Sequence, residues 1–283
     1  FSLQQPALRD AQESRGLGDV YKRQHPHKRA SKHKKTHNRP NTQTHTKSKP
    51  VSLKGVGIHS GNEVNLTFKP ANEDFGYAFC RTDLPGKPII EADVNYVVST
   101  ERGTTLEKNG VNIQTSDHVL AALTGLEIDN VLIEIDSSEP PIMDGSSKFF
   151  VEALIDAGIE KQSKDRNEYV VKEIISYHDE KSGSDITVLP ADSYEVTAMV
   201  DFGTKILGTQ NATMKNLNEF KDNFSNARTF SFLHEIEMLV DNGLIKGGDL
   251  NNAIVYVDKE LDEVTMSILK KAFNKDKISV KPN

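Results

Sequence analysis

Asp117 and His118 stand side by side in IQTSDHVLAALTGLEIDN (113–130), where an apolar helical pattern begins. Neighbouring side chains on a helix diverge by about 100°. Both can therefore line one cleft while Val119, Leu120, Ala122 and Leu123 hold the helix in a core. A zinc hydrolase uses such a pair: the imidazole binds the metal and the carboxylate takes the proton from metal-bound water. A plainer reading is open as well, in which Thr115, Ser116 or Asp117 caps the helix and His118 is a polar residue of its first turn.

The elements that must position this pair read as strands followed by helices. Val51–Leu53 and Val64–Phe68 are short apolar runs flanking Gly55-Val56-Gly57-Ile58-His59-Ser60-Gly61, where three glycines mark a tight connection. Thr104–Glu107 and Val111–Gln114 bracket Lys108-Asn109-Gly110, a hairpin signal. A helix is expected over about 116–124, ended by Gly125, and Ile128–Ile135 alternates as a strand. Pro140-Pro141-Ile142-Met143-Asp144-Gly145 makes a rigid turn. Ser146 or Ser147 then caps a second helix, with Phe149, Phe150, Ala153, Leu154 and Ala157 on its apolar face and Gly158 as its stop.

Residues 160–168 (EKQSKDRNE) are polar and read as a linker. Beyond them Ile186–Leu189, Tyr194–Phe202 and Ala253–Val257 are expected strands. Phe232, Ile236, Leu239 and Val240 stripe a helix, Met266–Phe273 begins another, and Ile278–Val280 begins a strand. The fold class is α+β, two similar domains each a β-sheet layered on a pair of helices, the second incomplete. The domains run 46–160 and 161–283.

Composition bounds the rest. Residues 1–50 hold 12 Lys and Arg against 3 Asp and Glu, although the whole chain carries a net charge of −6. Residues 21–50 have no acid, five histidines and almost no large apolar side chain, so 1–45 is expected to be a disordered basic tail. It lacks the interleaved aromatics of a nucleic-acid arm and the apolar core of a secretory signal. The run Ser14–Gln24 reads as sequence foreign to the folded protein, so no nucleic-acid partner is expected. No apolar run reaches the ~18 residues of a membrane span. A single cysteine, Cys80, excludes an internal disulfide and a cysteine-based zinc site, and points to the cytoplasm.

Taken together, GVGIHSG (55–61), the Asp-His helix start (115–125), PPIMDGSS (140–147), NARTFSF (226–232) and GLIKGG (243–248) resemble the LpxC family. These are the UDP-3-O-acyl-N-acetylglucosamine deacetylases of lipid A biosynthesis in Gram-negative bacteria. The resemblance runs in order from Val51 to Asn283, and the wording is similar to Bacteroidetes members, often fused to a downstream 3-hydroxyacyl-ACP dehydratase.

The resemblance implies two α+β domains with the site between them, each carrying an insert. Residues 91–114 would be the first insert. The second would contain Phe232–Val257 and pass the substrate's acyl chain, with Phe232, Ile236, Ile245 and Val255 lining it; ordinary core packing is the alternative for those four. It also implies Zn2+ as cofactor and hydrolysis of the acetamide on a UDP-linked, acylated glucosamine. His118 would ligate zinc and Asp117 would be the acid/base, although the family normally has Glu there. One methylene less withdraws the carboxylate by about 1.5 Å, and ~1 Å can cost on the order of 100-fold in rate. Thr229 would stabilise the oxyanion, or cap the helix that follows. Phe230 would sit beside the sugar, and Asp201 and Phe202 would hold uridine; Phe202 can equally be a core residue at a strand end. His59 resembles a position facing the cleft, with a solvated loop histidine as the alternative. His178 and His234 are given no role.

The family's remaining zinc ligands lie on an HKxxDxxGD helix that does not occur in this sequence. The expectation is that this polypeptide alone is inactive, its other ligands lying in a missing C-terminal part. A protein that binds UDP or an acyl chain without cleaving it is the main competing reading.

Overall fold

The computed structural model describes residues 43–242, 246–258, 261–273 and 275–279. Residues 1–42 of the basic tail, and the acyl-passage candidate Ile245, lie outside the described residues. Within them the fold is mixed α+β, with more strand than helix and six sheets.

The first half starts with β1 (Gln43–Lys47), β2 (Val51–Val56), β3 (Glu63–Pro70), β4 (Tyr77–Arg81) and β5 (Ile89–Glu91). A small antiparallel sheet follows, of β6 (Val97–Ser99), β7 (Thr105–Lys108) and β8 (Val111–Ile113). Its β7–β8 turn is Asn109-Gly110, both with positive φ, as the Asn-Gly signal predicts. Then come helix α1 (Asp117–Gly125), β9 (Val131–Ile135), helix α2 (Lys148–Asp156) and β10 (Ile159–Asp165).

The main sheet has the order β2-β3-β9-β4-β5, antiparallel except for the parallel β4–β9 pair. Strand β3 alternates strictly, burying Val64, Leu66 and Phe68 while turning its other residues outward. Those three, with Phe79, Ile133 and Ile135, face Val119, Ala122 and Leu123 of α1 and Phe150, Val151 and Leu154 of α2. Spacings of three and four residues put each helical trio on one stripe. Phe68 meets Phe150 edge-on, ring centres 6.3 Å apart.

One strand pair lies at the borders of this half. The segment read as a linker contains β10, which pairs antiparallel with β1, itself partly inside the expected tail. The pair is tied down twice. Arg166 grips both carboxylate oxygens of Asp129 (2.6 and 2.8 Å) and Oε1 of Glu127 (3.1 Å). Lys47 is fully buried and donates to the carbonyls of Leu154 and Gly158 at the end of α2. Burial pulls the Lys47 ammonium down to about 8.

The second half contains two hairpins, β11 (Ile175–Asp179) with β12 (Ser184–Val188), and β13 (Val196–Asp201) with β14 (Thr209–Met214). Their residues are largely exposed, Ile186, Val188, Met199 and Val200 included. A parallel pair, β15 (Phe230–Phe232) and β16 (Ile254–Tyr256), is bridged by α3 (Leu233–Asp241), and α4 (Glu263–Ala272) follows. Phe232 therefore ends a strand rather than starting the helix. Residues 277–279 form no strand, contrary to the expectation for Ile278–Val280, whose last residue is not described. Leu233, Ile236 and Leu239 of α3 join Leu269 and Phe273 in a separate small core. No helix among the described residues is long and apolar enough to cross a membrane.

Candidate active site

The turn Pro140–Ser147 is bonded to two of the candidate residues, His118 and Thr229, through their backbones. It hangs on β2 through the Ile142 N–H bonded to the Val56 carbonyl (2.9 Å). The Ser147 hydroxyl donates to the carbonyl of His118 (3.0 Å), fixing α1 against α2. From the second half, the Thr229 N–H donates to the Gly145 carbonyl (2.7 Å) and Arg228 Nε to that of Asp144 (2.6 Å). Gly145 has φ +87, a conformation that favours glycine. A Cβ there would also collide with the Asn252 carbonyl. An open groove of about 420 Å³ runs beside the turn, lined by Val56, Met143, Asp144, Phe149 and Asn252 among others.

His118 is half-buried at the first turn of α1. Burial holds its imidazole below the usual histidine range, against the opposing pull of Asp117 and Asp144. That shift favours the neutral ring, the form that binds a metal. Asp117 is exposed, and its carboxylate is occupied: it accepts from the Thr104 N–H (2.8 Å) and the Thr104 hydroxyl (2.5 Å). Its first visible task is to hold the loop before β7. The expected serine cap is absent at α1 and present at α2. Ser116 makes no cap bond and donates instead to the Thr104 carbonyl (3.0 Å). At α2 it is Ser146, not Ser147, whose hydroxyl accepts from the Lys148 N–H (3.2 Å).

Thr229 is not the cap of α3, since β15 intervenes before the helix begins at Leu233. Its N–H is bonded to the Gly145 carbonyl and its own carbonyl accepts from the Ile254 N–H (3.0 Å), so its backbone is held on both sides. His59 lies half-buried in the glycine turn, its N–H directed at Glu139 (3.1 Å).

Phe202, Phe230, Phe232 and Tyr256 form one aromatic cluster. Phe230 meets Phe202, Phe232 and Tyr256 edge-on at 5.4, 5.6 and 5.4 Å. Phe230 remains 37% exposed, whereas Phe232 is buried. Asp201 caps the tight turn after β13, accepting from the Gly203 N–H (3.0 Å). Tyr256 was not singled out by the sequence; its place opposite Phe232 in the β15–β16 register brings it in. His234 stacks on Phe232 and pairs with Asp258. Ile236, 2% exposed, and Val255 belong to the small core of α3 and α4.

Glu235 and Arg102 were also missed. Their ion pair (3.0 Å) links the loop before β7 to α3. Burial raises the Glu235 carboxyl, but the Phe232 N–H, Arg102 and the Ser231 hydroxyl outweigh it and hold it below the usual range. Among the described residues no three His, Cys, Asp or Glu side chains come together to hold a metal ion. A catalytic zinc takes three protein ligands, so these residues do not complete such a site by themselves.

The family described as LpxC, UDP-3-O-acyl N-acetylglycosamine deacetylase, matches residues 44–272. The chain belongs to the LpxC family. It is 46% identical over 220 residues to the bifunctional enzyme LpxC/FabZ of Chlorobaculum tepidum, covering 77% of this chain and 47% of that protein. The bifunctional LpxC/FabZ of Bacteroides thetaiotaomicron is 42% identical over 212 residues, 75% of this chain and 46% of the relative. The UDP-3-O-acyl-N-acetylglucosamine deacetylase of Geotalea uraniireducens is 42% identical over 205 residues, 72% of this chain and 66% of the relative. The chain thus spans about half the length of the bifunctional relatives it matches. The LpxC match begins at residue 44, within β1.

Proposed function

We propose that this LpxC-family chain carries the substrate-facing half of a zinc-dependent deacetylase, hydrolysing the N-acetyl group of a UDP-3-O-acylated glucosamine on the route to lipid A. The observation that carries the reading is the convergence of His118 and Thr229 on the Pro140–Ser147 turn, through bonds from both halves of the chain. His118 would ligate zinc as a neutral imidazole. The other ligands would come from parts of the relatives' length that this chain does not span.

The Thr229 hydroxyl would donate to the oxyanion. Asp117 would serve as acid/base through the lone pairs that its two bonds to Thr104 leave, with the handicap of its short side chain. Phe230, Phe202 and Asp201 would hold the sugar and uridine. Phe232, Ile236, Ile245 and Val255 would back the acyl passage. The exposed hairpins β11–β14 would form a second layer resembling the first, completed by further helices. The reaction would take place in the cytoplasm, and the bifunctional relatives' names suggest a fused dehydratase.

Acetate release from the UDP-sugar tests this, measured on the 283-residue chain and on a chimaera. The chimaera carries residues 43–272 in place of the matching span of the Geotalea uraniireducens deacetylase. Turnover by the chimaera that vanishes in His118→Ala supports the reading. A folded, zinc-loaded chimaera without turnover overturns it. Stoichiometric, tightly held zinc in the chain alone would contradict the incomplete ligand set.

A further inference from the structure

Glu139 takes no part in the reaction outlined above, yet its side chain is fully buried at 0% exposure beside the candidate residues. A carboxylate removed from water is costly unless hydrogen bonds replace the water. Its donors come from two separate segments. From the glycine turn, the His59 N–H reaches both oxygens (3.1 and 3.2 Å) and the Ser60 N–H reaches Oε2 (3.0 Å). From the residues leading into α1, the Thr115 hydroxyl reaches Oε1 (3.2 Å). Successive N–H groups aimed at one anion form a nest. Gly57 leaves room for it, since a Cβ there would stand 2.5 Å from Oε2.

Thr115 itself has φ +49, a left-handed conformation that is unfavourable for a β-branched residue. Such strain persists only where the surroundings over-determine it. The bonds that do so are the one to Glu139 and those of the next residue, Ser116, to the Thr104 carbonyl. Two residues further on, the chain presents Asp117 and His118.

We infer that Glu139 is a positioning residue. Its one carboxylate locks the glycine turn that carries His59 against the strained residue that aims Asp117 and His118. The catalytic meaning of those residues rests on the deacetylase reading; the mechanical link does not.

Proton–nitrogen correlation spectra of the imidazole rings in the full chain test the link. Glu139→Gln keeps the shape but sets an amide donor against the N–H groups, so the ring signals of both His59 and His118 should move. Thr115→Val removes only the hydroxyl and should move His118 alone. A His118 signal unchanged in both variants overturns the inference, and so does movement confined to His59 in Glu139→Gln. Should Glu139→Gln fail to fold, Thr115→Val decides on its own, because an unmoved His118 refutes the coupling. In the chimaera described above, Glu139→Gln should lower kcat on the order of 100-fold with KM little changed, as a displacement of ~1 Å does. A chimaera lacking activity counts against the deacetylase reading and leaves the imidazole result standing.

Discussion

Replacing Gly145 by alanine probes the contact that joins the two halves of the chain. Two costs arise there. The first is conformational: φ is +87, and an L-residue held in that region loses about 1 kcal/mol relative to glycine. The second is steric. The new Cβ would fall inside the 3.0 Å limit of real Cβ contacts against the Asn252 carbonyl, with that carbonyl's carbon at 2.9 Å and Thr229 Cγ2 at 3.2 Å. The obstacle is backbone, which cannot swing aside, and overpacking of this kind costs about 1–3 kcal/mol. Gly76→Ala is the matched control: φ is +71, and nothing lies within 4 Å of its added Cβ. Urea unfolding followed by circular dichroism should therefore show a loss of about 2–4 kcal/mol for Gly145→Ala and about 1 kcal/mol for Gly76→Ala. Amide exchange at Asn252 and Thr229 should accelerate only in the first. Equal losses, with exchange at Thr229 unaltered, would mean that the second half does not rest on the Pro140–Ser147 turn.

Three further outcomes follow from the packing. Phe150→Ala empties a fully buried site against Phe68 and should cost about 3–5 kcal/mol by the same unfolding assay. Lys47 titrates at about 8 in the folded chain and at 10.5 when unfolded, so the unfolded state holds the extra proton between those values. Stability should accordingly rise with pH across that window, by at most on the order of 3 kcal/mol. Lys47→Met should flatten the rise, measured as urea midpoints from pH 7.5 to about 10.5. Arg166→Met strands the carboxylates of Asp129 and Glu127 and should cost about 2–3 kcal/mol, read as a lower midpoint together with faster amide exchange along β1.

The sequence exposed those elements whose side chains must choose a face. Strand β3 was legible because Val64, Leu66 and Phe68 alternate with polar residues, and β9 for the same reason. The β7–β8 hairpin announced itself through Asn109-Gly110. Strand β10 did not, because ribbon pairing with β1 leaves most of EKQSKD in water and asks for no apolar alternation. Hairpin β11–β12 was only half visible, and β14, TQNATM, not at all, for the same lack of a buried face.

The motifs singled out His118, Thr229 and Phe230, but not what those residues are bonded to. Nothing in the types of Asp117 and Thr104 says that they hold each other across 13 positions. Glu139 looked like an ordinary polar residue ahead of two prolines. Its importance comes from where the glycine turn lands, and that is tertiary information. Arg102 and Glu235 escaped for the same reason, being 133 residues apart.

The ribbon of β1 and β10 also sets an order of events during synthesis. Lys47 leaves the ribosome well before Ile159, its partner in the register. At ordinary translation speeds the interval is on the order of 10 s. For that time the buried lysine has no helix end to cap and Arg166 has not yet been made. The five-stranded sheet can assemble meanwhile, but β1 must wait as an unclaimed strand beside the nascent chain, open to capture by chaperones or by the wrong edge.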